Sequence, residues 1–143
     1  MPSREVDVTR QPDLNAAPSA TVLYIEDNIG NVRLLERLMV HRPNVHLITS
    51  MHGGEGFALA QQHRPDLILL DVHMPDFSGY EVLGLLRGDP GTASIPVVML
   101  SADASHDQIQ RFRDAGARDY LTKPLDLESF LVRLDQYLRE IKT

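Results

Sequence analysis

The sequence has no cysteine in its 143 residues, which excludes a disulfide scaffold, a cysteine-ligated zinc site and any thiol chemistry. No apolar run approaches membrane-spanning length, and the first residues lack the apolar stretch of a secretion signal. A soluble, cytoplasmic chain with no membrane partner is therefore the expectation. Clusters of lysine or arginine are missing too, and 14 basic residues against 20 acidic ones leave a net charge of −6. A phosphate backbone demands a basic footprint, so nucleic acid is not expected as a direct ligand. No GxxxxGK(S/T) loop and no GxGxxG turn after a strand occurs, which leaves nucleotide binding without support. The six histidines are scattered without metal-ligand spacing. Lysine itself is scarce, because all the basic residues except Lys123 and Lys142 are arginine.

What is present is enough for one sizeable core. Hydrophobic residues make up 43% of the chain and charged residues 24%, close to globular averages. Residues 1–19 contain Pro2, Pro12 and Pro18, mixed charges and no sustained periodicity, and are expected to be a flexible tail or linker. The folded domain is expected over residues 20–143. Within it, strand-like runs at 21–26, 45–50, 66–71, 95–101 and 118–122 alternate with helix-like stretches near 28–41, 54–63, 79–88, 105–115 and 126–141. Strict β/α alternation implies an α/β fold, a parallel sheet with helices on both faces.

Strand composition predicts the order. The runs Leu67 to Leu70 and Val97 to Leu100 are continuously apolar, and Val22 to Ile25 nearly so, as strands covered on both faces must be. The second and fifth strands mix in polar residues, as edges do. This fits a doubly wound (βα)5 sandwich in the flavodoxin-like order 2-1-3-4-5, with a ligand site expected at the switch point between the first and third strands. Asp126 is placed to cap the last helix, with Leu125 and Phe130 as a hydrophobic staple, and Ser105 with Gln108 fits a capping box for the fourth. The last helix offers Leu127, Phe130, Leu131, Leu134, Leu138 and Ile141 at helical spacing. The fourth offers Ile109, Phe112 and Ala115, so it is expected to be held less firmly.

Chemistry concentrates at the strand ends. The first strand ends in Glu26-Asp27 and the third in Asp71, which brings three carboxylates to the expected ligand site. Left alone they repel and raise at least one pKa; Mg²⁺, a hard cation with oxygen ligands, resolves the conflict. Asp27 or Asn28 could instead be a helix N-cap. Ser101 ends the fourth strand, and Lys123-Pro124 follows the fifth on the same rim. Taken singly they are a loop hydroxyl and a surface charge, yet a lysine before proline is a distinctive choice in an arginine-rich chain, and its ammonium can neutralise a carboxylate or phosphoryl oxygen. Met74-Pro75 with Gly79 marks the loop after Asp71. Gly53-Gly54-Glu55-Gly56-Phe57 superficially resembles the GG(D/E)EF signature of diguanylate cyclases, but its fourth position is Gly, and a permissive turn into the second helix is expected there. Tyr24 and Phe57 read as core residues.

These residues together resemble the receiver domain of two-component response regulators. The resemblance runs from about residue 21 to 141 and rests on Glu26-Asp27, Asp71, Met74-Pro75, Gly79, Ser101-Ala102, Tyr120 and Lys123-Pro124. The stretch Val22 to Asn28 is especially similar to receivers attached to hybrid sensor histidine kinases. The resemblance implies a phosphoprotein of phosphorelay signal transduction and not a turnover enzyme. Asp71 is implied as the phosphoacceptor, taking a phosphoryl group from a histidine kinase or histidine phosphotransfer protein, and an autodephosphorylation step as the only other chemistry. Glu26, Asp27, Asp71 and the backbone carbonyl of His73 are implied as the Mg²⁺ site, directly or through water. Lys123 is implied to pair with Asp71 and then with the phosphoryl group, and Ser101 to donate a hydrogen bond to it. Tyr120 is implied to rotate, changing the face made by the fourth helix, fifth strand and fifth helix for a downstream protein target or a homodimer. His73 and Asp103 sit two residues beyond Asp71 and Ser101, and are expected to line the site mouth and tune the lifetime of the acyl phosphate. Two other functions compete. A Mg²⁺-dependent aspartyl-phosphate phosphatase resembling the haloacid dehalogenase group needs its nucleophile after the first strand and an Asp two residues on, where this chain has His73 after Asp71. A phosphorylation-independent docking scaffold has no use for the acid pocket. Either a stand-alone regulator or a receiver excised from a longer hybrid kinase fits this sequence.

Overall fold

Five stretches rich in valine, isoleucine and leucine lie side by side as parallel strands in a computed structural model that describes residues 19–142. The strands are β1 (Ala20–Ile25), β2 (Val45–Ser50), β3 (Leu67–Asp71), β4 (Val97–Ser101) and β5 (Asp119–Thr122), and their order across the sheet is β2-β1-β3-β4-β5. The register pairs Ile25 with Leu70 and with Ser50, and Asp71 with Leu100. Every residue of β3 and β4 is buried, whereas β2 leaves His46 exposed and β5 leaves Thr122 exposed. This is the division between central and edge strands that composition predicts. The expected tail falls on residues 1–18, which lie outside the described residues, and on Ser19, which is exposed.

The helices are α1 (Ile29–Leu38), α2 (Gly53–His63), α3 (Gly79–Gly88), α4 (His106–Asp114) and α5 (Leu127–Lys142). The first is shorter than expected, because the chain tightens into a 3-10 turn at Met39–His41. The helices divide between the two faces of the sheet. Val32, Leu35 and Leu38 of α1 and Phe130, Leu131, Leu134 and Leu138 of α5 pack with Val22, Tyr24 and Leu69 on one face. Ala60 of α2, Val82, Leu83 and Leu86 of α3, and Phe112 of α4 pack with Leu23, Ile25 and Met99 on the other. Leu127 is not part of the buried α5 face; it is exposed at the first turn. On α4, Phe112 is the one buried residue.

The helix ends show which expectations needed a partner that spacing does not reveal. Asn28, not Asp27, caps α1, its side chain accepting from the Asn31 N–H at 3.0 Å. Asp126 caps α5 through the Ser129 N–H at 3.0 Å, with Leu125 packed against the Phe130 cluster as a staple requires. At α4 the box is only half made from Ser105 and Gln108. The Ser105 hydroxyl accepts from the Gln108 N–H at 3.3 Å, but the Ser105 N–H donates to Asp103 at 2.8 Å. The reciprocal capping box is on α3, between Ser78 and Glu81.

The glycines that open α2 have a different role from the permissive turn expected. Gly53 is the first helical residue, and its N–H and that of Gly54 donate to the two carboxylate oxygens of Asp76 at 2.8 and 2.9 Å. A Cβ on Gly53 would stand 2.8 Å from Val82 Cγ2 and 3.2 Å from Asp76 Oδ1, so close approach is what the glycine permits. Phe57, expected in the core, is only half-buried. Gly79 serves close approach too. Its N–H donates to Val72 O at 2.7 Å, and a Cβ there would lie 2.6 Å from the Asp71 carbonyl oxygen. The loop from Asp71 to α3 is thereby folded tightly back on the end of β3.

Candidate functional site

The acids meet because β1 and β3 are adjacent and end level with one another. One step beyond the paired Ile25 and Leu70 stand Glu26 and Asp71, with Asp27 next in the chain. One oxygen from each of Glu26, Asp27 and Asp71 falls within 4.8 Å of the other two. Glu26 and Asp71 are buried, whereas Asp27 is exposed and opens the cluster to water. The strand expected to end on Glu26 ends one residue earlier, which leaves the Glu26 N–H to donate to Ser50 O at 2.9 Å.

Lys123 closes the cluster from β5. Its N–H donates to Ser101 O at 2.8 Å, which holds the two strand ends level, and the Lys123–Pro124 peptide is cis. The ammonium donates to Glu26 Oε1 at 2.7 Å and to Asp71 Oδ1 at 2.9 Å. Burial opposes a charged lysine, but the two carboxylates outweigh it and raise the Lys123 pKa above its ordinary value. They themselves diverge. Burial pushes Asp71 upward, and the nearby charges of Glu26 and Asp27 add to that against the pull of Lys123. Burial pushes Glu26 up as well, but the bonds from Lys123, Tyr24 and Asn28 prevail and hold it below the ordinary carboxylate range. Two neighbouring acids with opposed environments are the pattern of a site in which one is a fixed charge and the other is reactive.

Ser101 is buried at the end of β4, one step beyond Leu100, the β4 partner of Asp71. Its hydroxyl oxygen accepts from the Asp103 N–H at 3.0 Å. Tyr120 is buried on β5 and donates from its hydroxyl to Asp103 O at 2.7 Å. Its ring lies 5.8 Å from that of Phe112, the buried anchor of α4. His73 and Asp103 are exposed, and they are near enough for the imidazole to lower the Asp103 pKa, after the larger effects of the Ser105 backbone and hydroxyl. The expected site residues thus converge on one rim of the sheet.

Two contributors were not legible. Tyr24, read as core, is indeed buried, but its hydroxyl donates to Glu26 Oε1 at 2.9 Å. The period-2 alternation that puts Tyr24 and Glu26 on one face of β1 was the available signal. Asp76 joins the loop after Asp71 to α2, and no local pattern links residues so far apart. As for a metal, the carboxylate-only donor set with one member open to solvent suits a magnesium ion that keeps part of its water shell.

Residues 22–135 match the family model described as the response regulator receiver domain. The polar-differentiation response regulator DivK of Brucella anthropi is 35% identical over 118 residues, covering 82% of this chain and 95% of DivK. Response regulator PleD of Caulobacter vibrioides is 43% identical over 109 residues, which are 76% of this chain but 24% of PleD, so the match spans about a quarter of that relative. Among solved structures, the chemotaxis response regulator CheY4 of Vibrio cholerae has a TM-score of 0.77 at 29% identity, covering 83% of this chain and 98% of CheY4. The receiver domain of a sensor histidine kinase from Pseudomonas aeruginosa, which has a magnesium ion coordinated in its active-site cleft, has a TM-score of 0.75 at 26% identity, covering 87% of this chain and 99% of that one. With the family model spanning most of the chain and the strand order agreeing, this protein belongs to the response regulator receiver domain family.

Proposed function

We propose that this chain is a phosphoacceptor switch in which Asp71 takes a phosphoryl group from the phosphohistidine of a histidine kinase or histidine phosphotransfer protein. The observation that carries this reading is the single ammonium of Lys123 shared between Glu26 and Asp71. In the transfer, a carboxylate oxygen of Asp71 forms the new P–O bond while the P–N bond breaks and its electron pair stays on the leaving imidazole. The product is an acyl phosphate, 4-aspartylphosphate. Such transfer depends mainly on positioning and charge stabilisation. Magnesium, when bound, offsets the charge on the phosphoryl oxygens. Glu26, Asp27, Asp71 and the His73 backbone carbonyl would hold it.

Lys123 turns from Asp71 Oδ1 to a phosphoryl oxygen once the transfer is made. The Ser101 oxygen accepts from Asp103, which leaves its own proton for the phosphoryl group. Because Asp103 also accepts from Tyr120, movement of Ser101 is felt at Tyr120 and, through the ring of Phe112, at α4. The face formed by α4, β5 and α5 is the surface offered to a downstream protein or a second copy, and residues 20–143 constitute the receiver unit. This is a switch biased by a local charge event. It works in this way as a stand-alone regulator or as the receiver of a hybrid kinase.

Incubation with Mg²⁺ and acetyl phosphate, followed by a phosphate-affinity gel, tests the reading. A shifted band that is absent in Asp71→Ala and lost when the metal is chelated is expected; an equal shift in Asp71→Ala overturns it. Following the decay of the band in His73→Ala and Asp103→Ala tests their tuning role, and altered half-lives are expected. Unchanged decay removes that role.

A further inference from the structure

Glu26 has more hydrogen-bond donors than its neighbours in the acid cluster. Lys123 Nζ and the Tyr24 hydroxyl both donate to its Oε1, at 2.7 and 2.9 Å, and the Asn28 N–H reaches Oε2 at 3.3 Å. The Tyr24 side chain is 1% exposed and packed between the sheet and α1, so its hydroxyl cannot turn to water. A buried phenol needs a partner, and the partner here is the oxygen that Lys123 also holds. Asp27, by contrast, is exposed, and Asp71 receives Lys123 at Oδ1.

We propose that Tyr24 is a positioning residue of the phosphoryl-transfer site, its hydroxyl keeping the Glu26 carboxylate turned towards Lys123 and so limiting what Glu26 would give to a cation held by the acid cluster. This rests on the phosphoacceptor reading of Asp71. The physical reason is satisfaction of a buried charge. With three donors in place, a carboxylate gains little by moving, whereas one deprived of a donor is left partly unpaired in the interior. Without the hydroxyl, Glu26 has the incentive and the freedom to turn to the cation, loosening its hold on Lys123. Tyr24 thereby sets how charge is divided between the metal side and the lysine side of the same pocket.

Calorimetric titration of Mg²⁺ into the full chain tests this. Tyr24→Phe keeps the ring and deletes the hydroxyl, and it is expected to bind Mg²⁺ about three- to tenfold more tightly than the parent, the range that one ordinary net hydrogen bond spans. The same substitution made in Glu26→Gln is expected to leave Mg²⁺ affinity where Glu26→Gln alone puts it. Tyr24→Leu lowers stability further but shares the tightening, which separates positioning from packing. With only two lysines in the chain, ¹⁵N labelling of lysine resolves the Lys123 ammonium, whose resonance is expected to shift in Tyr24→Phe while that of Lys142 stays. Unchanged or weaker Mg²⁺ binding by Tyr24→Phe, in a parent still labelled on Asp71 by acetyl phosphate, overturns this inference alone. A parent whose Mg²⁺ binding does not depend on Asp27 overturns the underlying reading and the inference with it.

Discussion

At the scale of single side chains, burial acts on Asp71 and Glu26 alike, and the donors around them decide the outcome. Glu26 has three and is held ionised; Asp71 shares one ammonium and is pushed upward by burial and by two neighbouring negative charges. A carboxyl whose folded pKa is above its unfolded value binds its proton more tightly when folded. Its ionised form therefore detracts from stability at neutral pH, and the penalty fades as pH falls through the folded value. Asp71→Asn keeps the shape, removes one charge and leaves Lys123 its bond to Glu26. It is expected to raise the thermal midpoint by a few degrees in metal-free buffer at neutral pH, read by circular dichroism; an equal or lower midpoint contradicts the account. The acids, Ser101 and Lys123 were legible because each stands at a strand end, where position follows from topology. Tyr24 was not, because an aromatic on a buried strand reads as packing and the direction of its hydroxyl is a matter of three dimensions.

At the scale of the element, α2 begins with no side-chain cap of its own and borrows one from a loop 22 and 23 residues away. The exposed N–H groups of a first turn favour an anion, and Asp76 provides it to both glycines. Those backbone bonds hold the Asp76 pKa down to about 2, against an ordinary 3.8. The sign is opposite to that of Asp71. A depressed carboxyl contributes stability that is complete above its unfolded pKa and lost as pH falls through the folded one. Asp76→Ala is expected to lower the urea midpoint relative to the parent at pH 6, with the difference narrowing as pH falls through 3.8 and fading out only below about pH 2; a difference that stays constant with pH contradicts the cap. Periodicity located every helix and strand, because a period of two or of 3.6 is a local property. It missed the closing 3-10 turn of α1, the true box on α3 and the distant cap of α2. The last of these depends on a contact that the folded chain alone creates.

At the scale of the whole molecule, the helices are not equally bound to the sheet. Five buried side chains anchor α5, among them Phe130, Leu134 and Leu138, whereas Phe112 is the one buried residue of α4. Opening free energy follows such local packing. Backbone amides of α4 are expected to exchange hydrogen faster than those of α5 and of β1, β3 and β4, measured by mass spectrometry at neutral pH; equal protection would contradict a loosely held α4. The two-sided core has a further consequence. Tyr24, packed beside α1 and α5, belongs to one side of the sheet, while Tyr120 and Phe112 belong to the other. The sheet is therefore a partition with the acid cluster and Lys123 along its top edge. A displacement at that edge is passed to two separately packed layers, α1 and α5 beneath one face and α2, α3 and α4 beneath the other, and each layer can answer it without repacking its opposite.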